Sequence, residues 1–251
     1  IEYSAPKNMY LNTTGSNWDS MKGFRTSALA LLPNLKGTPV GDRIQKDFEA
    51  RENYLQGTVY SEQGLWNKAM QAWEEAWNLS PTNGSIQHGL AGAYESAGQY
   101  FFTQNYYKES LEQYELALKV IPDKSSVWFN IGDLSDAVGE PQRAILLYEK
   151  ALKTDERNPF LIYKIARIYR EQGNYTKSLE YLNRALEVDP EYGPGYIDRG
   201  YVYSKLFEYD VAIENYNKAL SLNQPKSKFL GYLYRGWAYY NKGNYHQSIK
   251  D

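Results

Sequence analysis

Residues 128–151, WFNIGDLSDAVGEPQRAILLYEKA, decide the fold of this chain. Apolar and small residues recur there every three or four positions, which is typical of amphipathic helices. Gly139 interrupts the pattern and indicates a short turn between the two halves. The segment therefore predicts a hairpin of two helices.

The same pattern recurs with a period close to 34 residues. Small residues mark the middle of each first helix, at intervals of 34, 41, 34, 34 and 36: Gly57, Ala91, Gly132, Ala166, Gly200 and Gly236. A second series keeps these intervals and marks the turns: Gly64, Gly98, Gly139, Gly173, Phe207 and Gly243. A repeat of this length indicates one unit stacked many times, each unit burying its neighbour's apolar face. After Gly98, seven extra residues at 99–105 predict a loop or a longer helix.

These positions resemble the tetratricopeptide repeat family. Trp128, Ile131 and Gly132 match its opening pattern, and the closing prolines stand at Pro81, Pro122 and Pro190. The resemblance covers residues 50–251 and implies an all-α, right-handed superhelical solenoid of antiparallel helix pairs. Its units lie near 50–83, 84–124 with the insertion, 125–158, 159–192, 193–226 and, as a partial unit, 229–251. Residues 1–49 are expected to hold a degenerate helix and a linker, after which Asp42 caps the next helix.

Composition argues against several functional classes. The net charge of −2 gives no support to a nucleic-acid partner, and no apolar run is long enough to insert in a membrane. Two His residues, no Cys and the lack of any catalytic or phosphate-binding motif predict a non-enzyme without metal or cofactor. The absence of Cys and of an initiator Met favours an extracytoplasmic location, with the cytoplasm as the alternative.

The resemblance also implies a binding groove, because the first helix of each unit lines the concave surface in that family. The groove residues predicted on this basis are Asn130, Asp133, Tyr163, Lys164, Arg167, Arg170, Tyr201, Tyr234 and Trp237. The basic residues either neutralise acidic groups on neighbouring helices or contact a partner, and the sequence leaves both interpretations open. The aromatic residues are the expected anchors.

The predicted function is therefore a non-catalytic scaffold that binds a protein or peptide segment in the concave groove. Two alternatives stay open. The repeats could be the targeting or regulatory region of a larger protein whose catalytic or other domain lies beyond residue 251. They could also self-assemble through the helix at the C-terminal end, where no capping helix follows.

Overall fold

The structure, a computed structural model, describes residues 37–222 and 224–251. These residues form helices and turns without any β-strand, so the predicted all-α fold of paired helices is confirmed. The expected degenerate helix near the N-terminus lies outside the described residues. The linker ends earlier than predicted, because Thr38 and not Asp42 caps the first described helix: its side chain accepts a hydrogen bond from the amide of Gly41.

The helices fall into two compact units. The first unit, which ends at Pro122, contains α1 (Pro39–Glu62), α2 (Trp66–Leu79), α3 (Gly84–Thr103) and α4 (Tyr107–Val120). The second, from Asp123, contains α5 (Ser125–Ala137), α6 (Pro141–Leu152), α7 (Pro159–Glu171), α8 (Tyr175–Val188), α9 (Gly193–Lys205), α10 (Tyr209–Ser221), α11 (Pro225–Asn241) and α12 (Tyr245–Ser248). Within each unit consecutive helices pack as antiparallel pairs, and the second helix of one pair packs on the first helix of the next.

A residue with a left-handed backbone closes each hairpin. Glycine fills this position at Gly64, Gly139, Gly173 and Gly243, with φ between 73° and 84°. Glycine has no Cβ and therefore adopts this conformation without steric cost. Asn105 (φ 62°) and Phe207 (φ 64°) occupy the same position in the other two hairpins. Asparagine tolerates the conformation fairly well, whereas a bulky residue there is a genuine outlier.

The glycines in the middle of the first helices make room for a ring from the second helix. A Cβ built on Gly132 would lie 2.6 Å from Cε1 of Tyr148, whose side chain is fully buried. The same arrangement joins Gly57 to Trp73, Gly98 to Tyr114 and Gly200 to Tyr216. In the hairpin of α7 and α8 the small residue is Ala166, and it packs in one buried cluster with Leu182 in place of a ring.

The insertion in the second hairpin is a longer helix, but its position differs from the prediction. Gly98 lies inside α3, buried against Tyr114, and the turn follows at Asn105. Gly98 therefore belongs with the packing glycines and not with the turn glycines. The seven extra residues lengthen α3 before Gly98 rather than after it.

Candidate binding surface on the second unit

The first helices of the four hairpins in the second unit carry all nine predicted groove residues. These helices are α5, α7, α9 and α11. We call their shared set of polar and aromatic side chains the A-helix surface. It comprises Asn130, Asp133, Asp136, Tyr163, Lys164, Arg167, Arg170, Asp198, Tyr201, Lys205, Tyr234 and Trp237.

The basic residues of α7 are ion-paired with carboxylates on both neighbouring first helices. Lys164 donates to Asp133 of α5 at 2.8 Å, and Arg167 donates to Asp136 at 2.9 Å. The third pair runs to the other neighbour: Arg170 donates to Asp198 of α9 at 2.6 Å. The charges thus neutralise one another between helices, which is one of the two interpretations that the sequence left open.

Lys164 and Asp133 belong to a wider network that fixes their geometry. The hydroxyl of Tyr148 donates to Asp133 at 2.5 Å, and the ammonium of Lys164 lies over the rings of Phe129 and Phe160, at 5.5 and 5.4 Å. Burial, together with the hydrogen bond to Asp133, raises the pKa of Tyr148 well above its usual value, so the hydroxyl stays a donor. These groups therefore hold α5 and α7 in register.

Asp198 is the most buried acid of the surface, with 6% of the residue exposed. Arg170 satisfies Oδ1, whereas Oδ2 is buried and accepts no hydrogen bond from any residue that the structure describes. Burial raises the pKa of Asp198, and the charge of Arg170 opposes that rise. The sequence analysis expected acidic partners on neighbouring helices but did not assign Asp198 as one, although it stands 34 residues after Lys164, at the same position of the repeat.

Aromatic rings dominate the surface on α9 and α11. The rings of Tyr201 and Tyr234 lie 5.8 Å apart, and the guanidinium of Arg170 lies 5.3 Å from the Tyr201 ring. Trp237 is 65% exposed, so the fold leaves most of its indole uncovered. Tyr163 differs from these: it packs edge-on against Tyr192 at 5.4 Å, and burial raises its pKa. Asn130 is half-buried on α5.

A cavity of about 230 Å³ opens beside these rings, among α9, α10 and α11. We call it the aromatic pocket; its ring-bearing lining residues are Tyr201, Phe207, Tyr209, Tyr216, Tyr234 and Trp237. Sequence reasoning found three of these residues. It included Phe207 only in the series that marks the turns, because the repeat pattern does not show which turn borders a cavity.

Two classes of site are absent from the described part of the chain. No group of three or more His, Asp or Glu residues in it could hold a metal ion. None of its helices combines the length and the apolar character that a membrane span requires.

Comparison with known proteins places the chain in a family. Two family models described as tetratricopeptide repeat match residues 95–159 and 160–224, which together span just over half of the 251 residues. The chain belongs to the tetratricopeptide repeat family. The resemblance to this family, stated above from the motifs of the repeat, is thus confirmed.

Other tetratricopeptide repeat regions and structures are similar to this chain. The general transcriptional corepressor trfA of Dictyostelium discoideum is 31% identical over 111 residues, which are 43% of this chain and 8% of that protein. The mouse protein O-mannosyl-transferase TMTC1 is 28% identical over 116 residues, or 46% of this chain and 12% of the transferase. The chain thus spans a small fraction of these relatives. The crystal structure of YrrB, described as a TPR protein with an unusual peptide-binding site, has a TM-score of 0.54 at 16% identity and covers 81% of this chain and 96% of its own.

Proposed function

We propose that the second unit binds an extended protein segment along the A-helix surface, and that this chain is a non-catalytic interaction scaffold. Tetratricopeptide repeats support a protein-interaction role in general, and nothing in the described residues gives positive evidence of catalysis. YrrB, a protein of this fold, is described as having a peptide-binding site. The proposal adds the place of binding and the residues involved.

The observation that carries the proposal is the exposed ring of Trp237 beside Tyr201 and Tyr234. Aromatic side chains that a fold leaves partly uncovered are frequent anchors at interfaces, because they bury a large area at a small entropic cost. The three ion pairs between α5, α7 and α9 play a different part. Since each basic residue is already paired with a carboxylate, these side chains form a rigid and nearly neutral part of the surface. They do not attract a partner through net charge.

A second candidate is that these repeats are the targeting region of a larger protein. It is favoured by the share of the relatives that the chain covers, 8% of the corepressor and 12% of the transferase. Both candidates use the same surface. The mass of the native polypeptide, measured by immunoblot and mass spectrometry, separates them, because only the second requires a protein much larger than 29.0 kDa.

Position-specific photo-crosslinking tests the binding surface. Benzoylphenylalanine replaces Phe160, which is 43% exposed beside Lys164, or Trp237; the matched control is Leu146 on α6, an apolar residue 62% exposed. Extract from the source organism is irradiated with each variant. We expect the same adduct from positions 160 and 237 and a much weaker one from 146. Adducts from position 146 alone would place binding on the second helices and overturn the proposal.

A further inference from the structure

Phe207 occupies a backbone position that suits a phenylalanine poorly. Its φ is 64°, and among the other hairpins of residues 37–251 the equivalent position is Gly in four and Asn in one. Side chains with a Cβ rarely adopt this conformation, and a bulky one there signals strain. The repeat itself thus shows that a smaller residue closes the turn without strain.

The side chain of Phe207 makes few packing contacts that could offset the strain of its backbone. Phe207 is 78% exposed, and its ring meets Tyr209 edge-on with the centroids 6.3 Å apart. A strained residue that is mostly exposed contributes little packing to offset its strain. Strain that the fold does not require points to a role in function.

What Phe207 does form is part of the wall of the aromatic pocket, which Trp237 also lines. The cavity of about 230 Å³ is smaller than the roughly 300–1,000 Å³ typical of sites for small molecules and cofactors. It suits one large apolar side chain, inserted from a segment that runs along the surface. Pockets of this kind accept the anchor residues that dominate binding energy at protein interfaces.

The lining of the pocket includes a cation that the fold leaves unmatched. Lys205 is exposed, with its ammonium 5.2 Å from the Tyr201 ring, and it forms no ion pair within the described residues. Lys242, which follows α11, is in contrast paired with Asp210. A partner that reaches Lys205 therefore gains from a carboxylate and loses from a second cation.

We propose that the aromatic pocket binds an acidic, apolar-anchored peptide segment: one large apolar side chain enters between Phe207 and Trp237, and a carboxylate one to three residues away pairs with Lys205. The inference rests on the proposed function and names the chemistry of the partner. Phe207 is then kept at the turn for binding, at the expense of stability.

A random peptide display library selected on the whole protein tests this. Peptides enriched on the wild-type chain are sequenced, synthesised and measured by fluorescence anisotropy on two variants, Phe207→Gly and Lys205→Glu. Asn105→Gly is the control, because it also puts Gly at a left-handed turn position, at the equivalent turn of the first unit, and Asn105 does not line the aromatic pocket. Thermal unfolding is recorded for every variant, so that a loss of binding is not confused with a loss of fold.

We expect the enriched peptides to share a large apolar residue followed or preceded closely by Asp or Glu. Phe207→Gly should weaken them by about tenfold or more while raising Tm by about 2–4 °C. Lys205→Glu should reject them and, in a new selection, enrich peptides with Lys or Arg near the anchor. Asn105→Gly should leave the affinity unchanged.

The opposite results overturn the inference. They are enrichment of no peptide, enriched peptides without acidic residues, or unchanged affinity after Phe207→Gly. Concentration-dependent association of the chain that Phe207→Gly abolishes would assign the pocket to a second copy instead. If positions 160 and 237 give adducts but Phe207→Gly leaves the peptide affinity unchanged, only this inference is refuted and the proposed function stands.

Discussion

The packing of Gly132 against Tyr148 predicts how Gly132→Ala changes the free energy of unfolding. Whether the substitution stabilises or destabilises the chain depends on the Tyr148 ring. A Cβ on Gly132 would lie 2.6 Å from Cε1 and 2.8 Å from Cδ1 of Tyr148, closer than real Cβ atoms approach. The ring cannot move aside easily, because it is fully buried, its hydroxyl donates to Asp133, and it packs against Phe129. Gly132→Ala therefore overpacks the hairpin of α5 and α6.

The magnitude is the balance of two opposing effects. Overpacking a core costs about 1–3 kcal/mol. Replacing a mid-helix Gly by Ala returns about 1 kcal/mol through helix propensity. We therefore expect Gly132→Ala to lower the free energy of unfolding by about 1 kcal/mol. With Tyr148→Leu also present, the ring is gone and the hairpin has the same pair as Ala166 and Leu182 in the next one. In the Tyr148→Leu background, Gly132→Ala should raise the free energy of unfolding by up to about 1 kcal/mol.

Urea unfolding of the wild type, the two single variants and the double variant, followed by circular dichroism, measures the coupling. It should be about 2 kcal/mol, well above the roughly 0.5 kcal/mol seen for independent sites. Gly92→Ala is the control, because a Cβ there meets nothing within 4 Å and only the propensity gain remains. Additive effects, or stabilisation by Gly132→Ala in the wild type, would refute the reasoning.

Two further predictions concern the ion pairs. Because burial raises the pKa of Asp198, the native state holds its proton more tightly than the unfolded state, and this residue makes stability fall as the pH rises through that raised pKa. Asp198→Asn cannot titrate, so its stability relative to the wild type should increase in urea melts as the pH rises from about 4, the ordinary pKa of an Asp, through the raised pKa of Asp198. A flat or reversed difference would show that Arg170 dominates. Lys164→Met leaves Asp133 without its cation and should cost about 1–2 kcal/mol, most of which Asp133→Asn in the same chain should restore. No recovery in the double variant would mean that Lys164 acts through packing alone.

Much of the fold can be predicted from residue spacing alone. Period, hairpins and turns are set by steric requirements that small residues satisfy, so Gly139, Gly173 and Gly243 are visible as a pattern. The candidate site is predicted less completely. Spacing places Lys164 and Arg170 on one face of α7, but which acid each contacts depends on the offset between neighbouring helices, which no single sequence displays. The aromatic pocket needs three helices at once and escaped sequence reasoning for the same reason.

The length of the insertion in α3 indicates which insertions the first helix of such a hairpin tolerates. Seven residues make almost two full helical turns, so an addition of this size rotates the rest of the helix by only about 20°. Ala91 and Gly98, one such step apart, are accordingly both buried on α3. Additions near multiples of seven are thus tolerated within a first helix, whereas one of two or five residues would turn the buried Ile86 and Leu90 away from the face that carries Gly98. The first helix of such a hairpin can therefore lengthen in steps of seven residues while the same face stays buried.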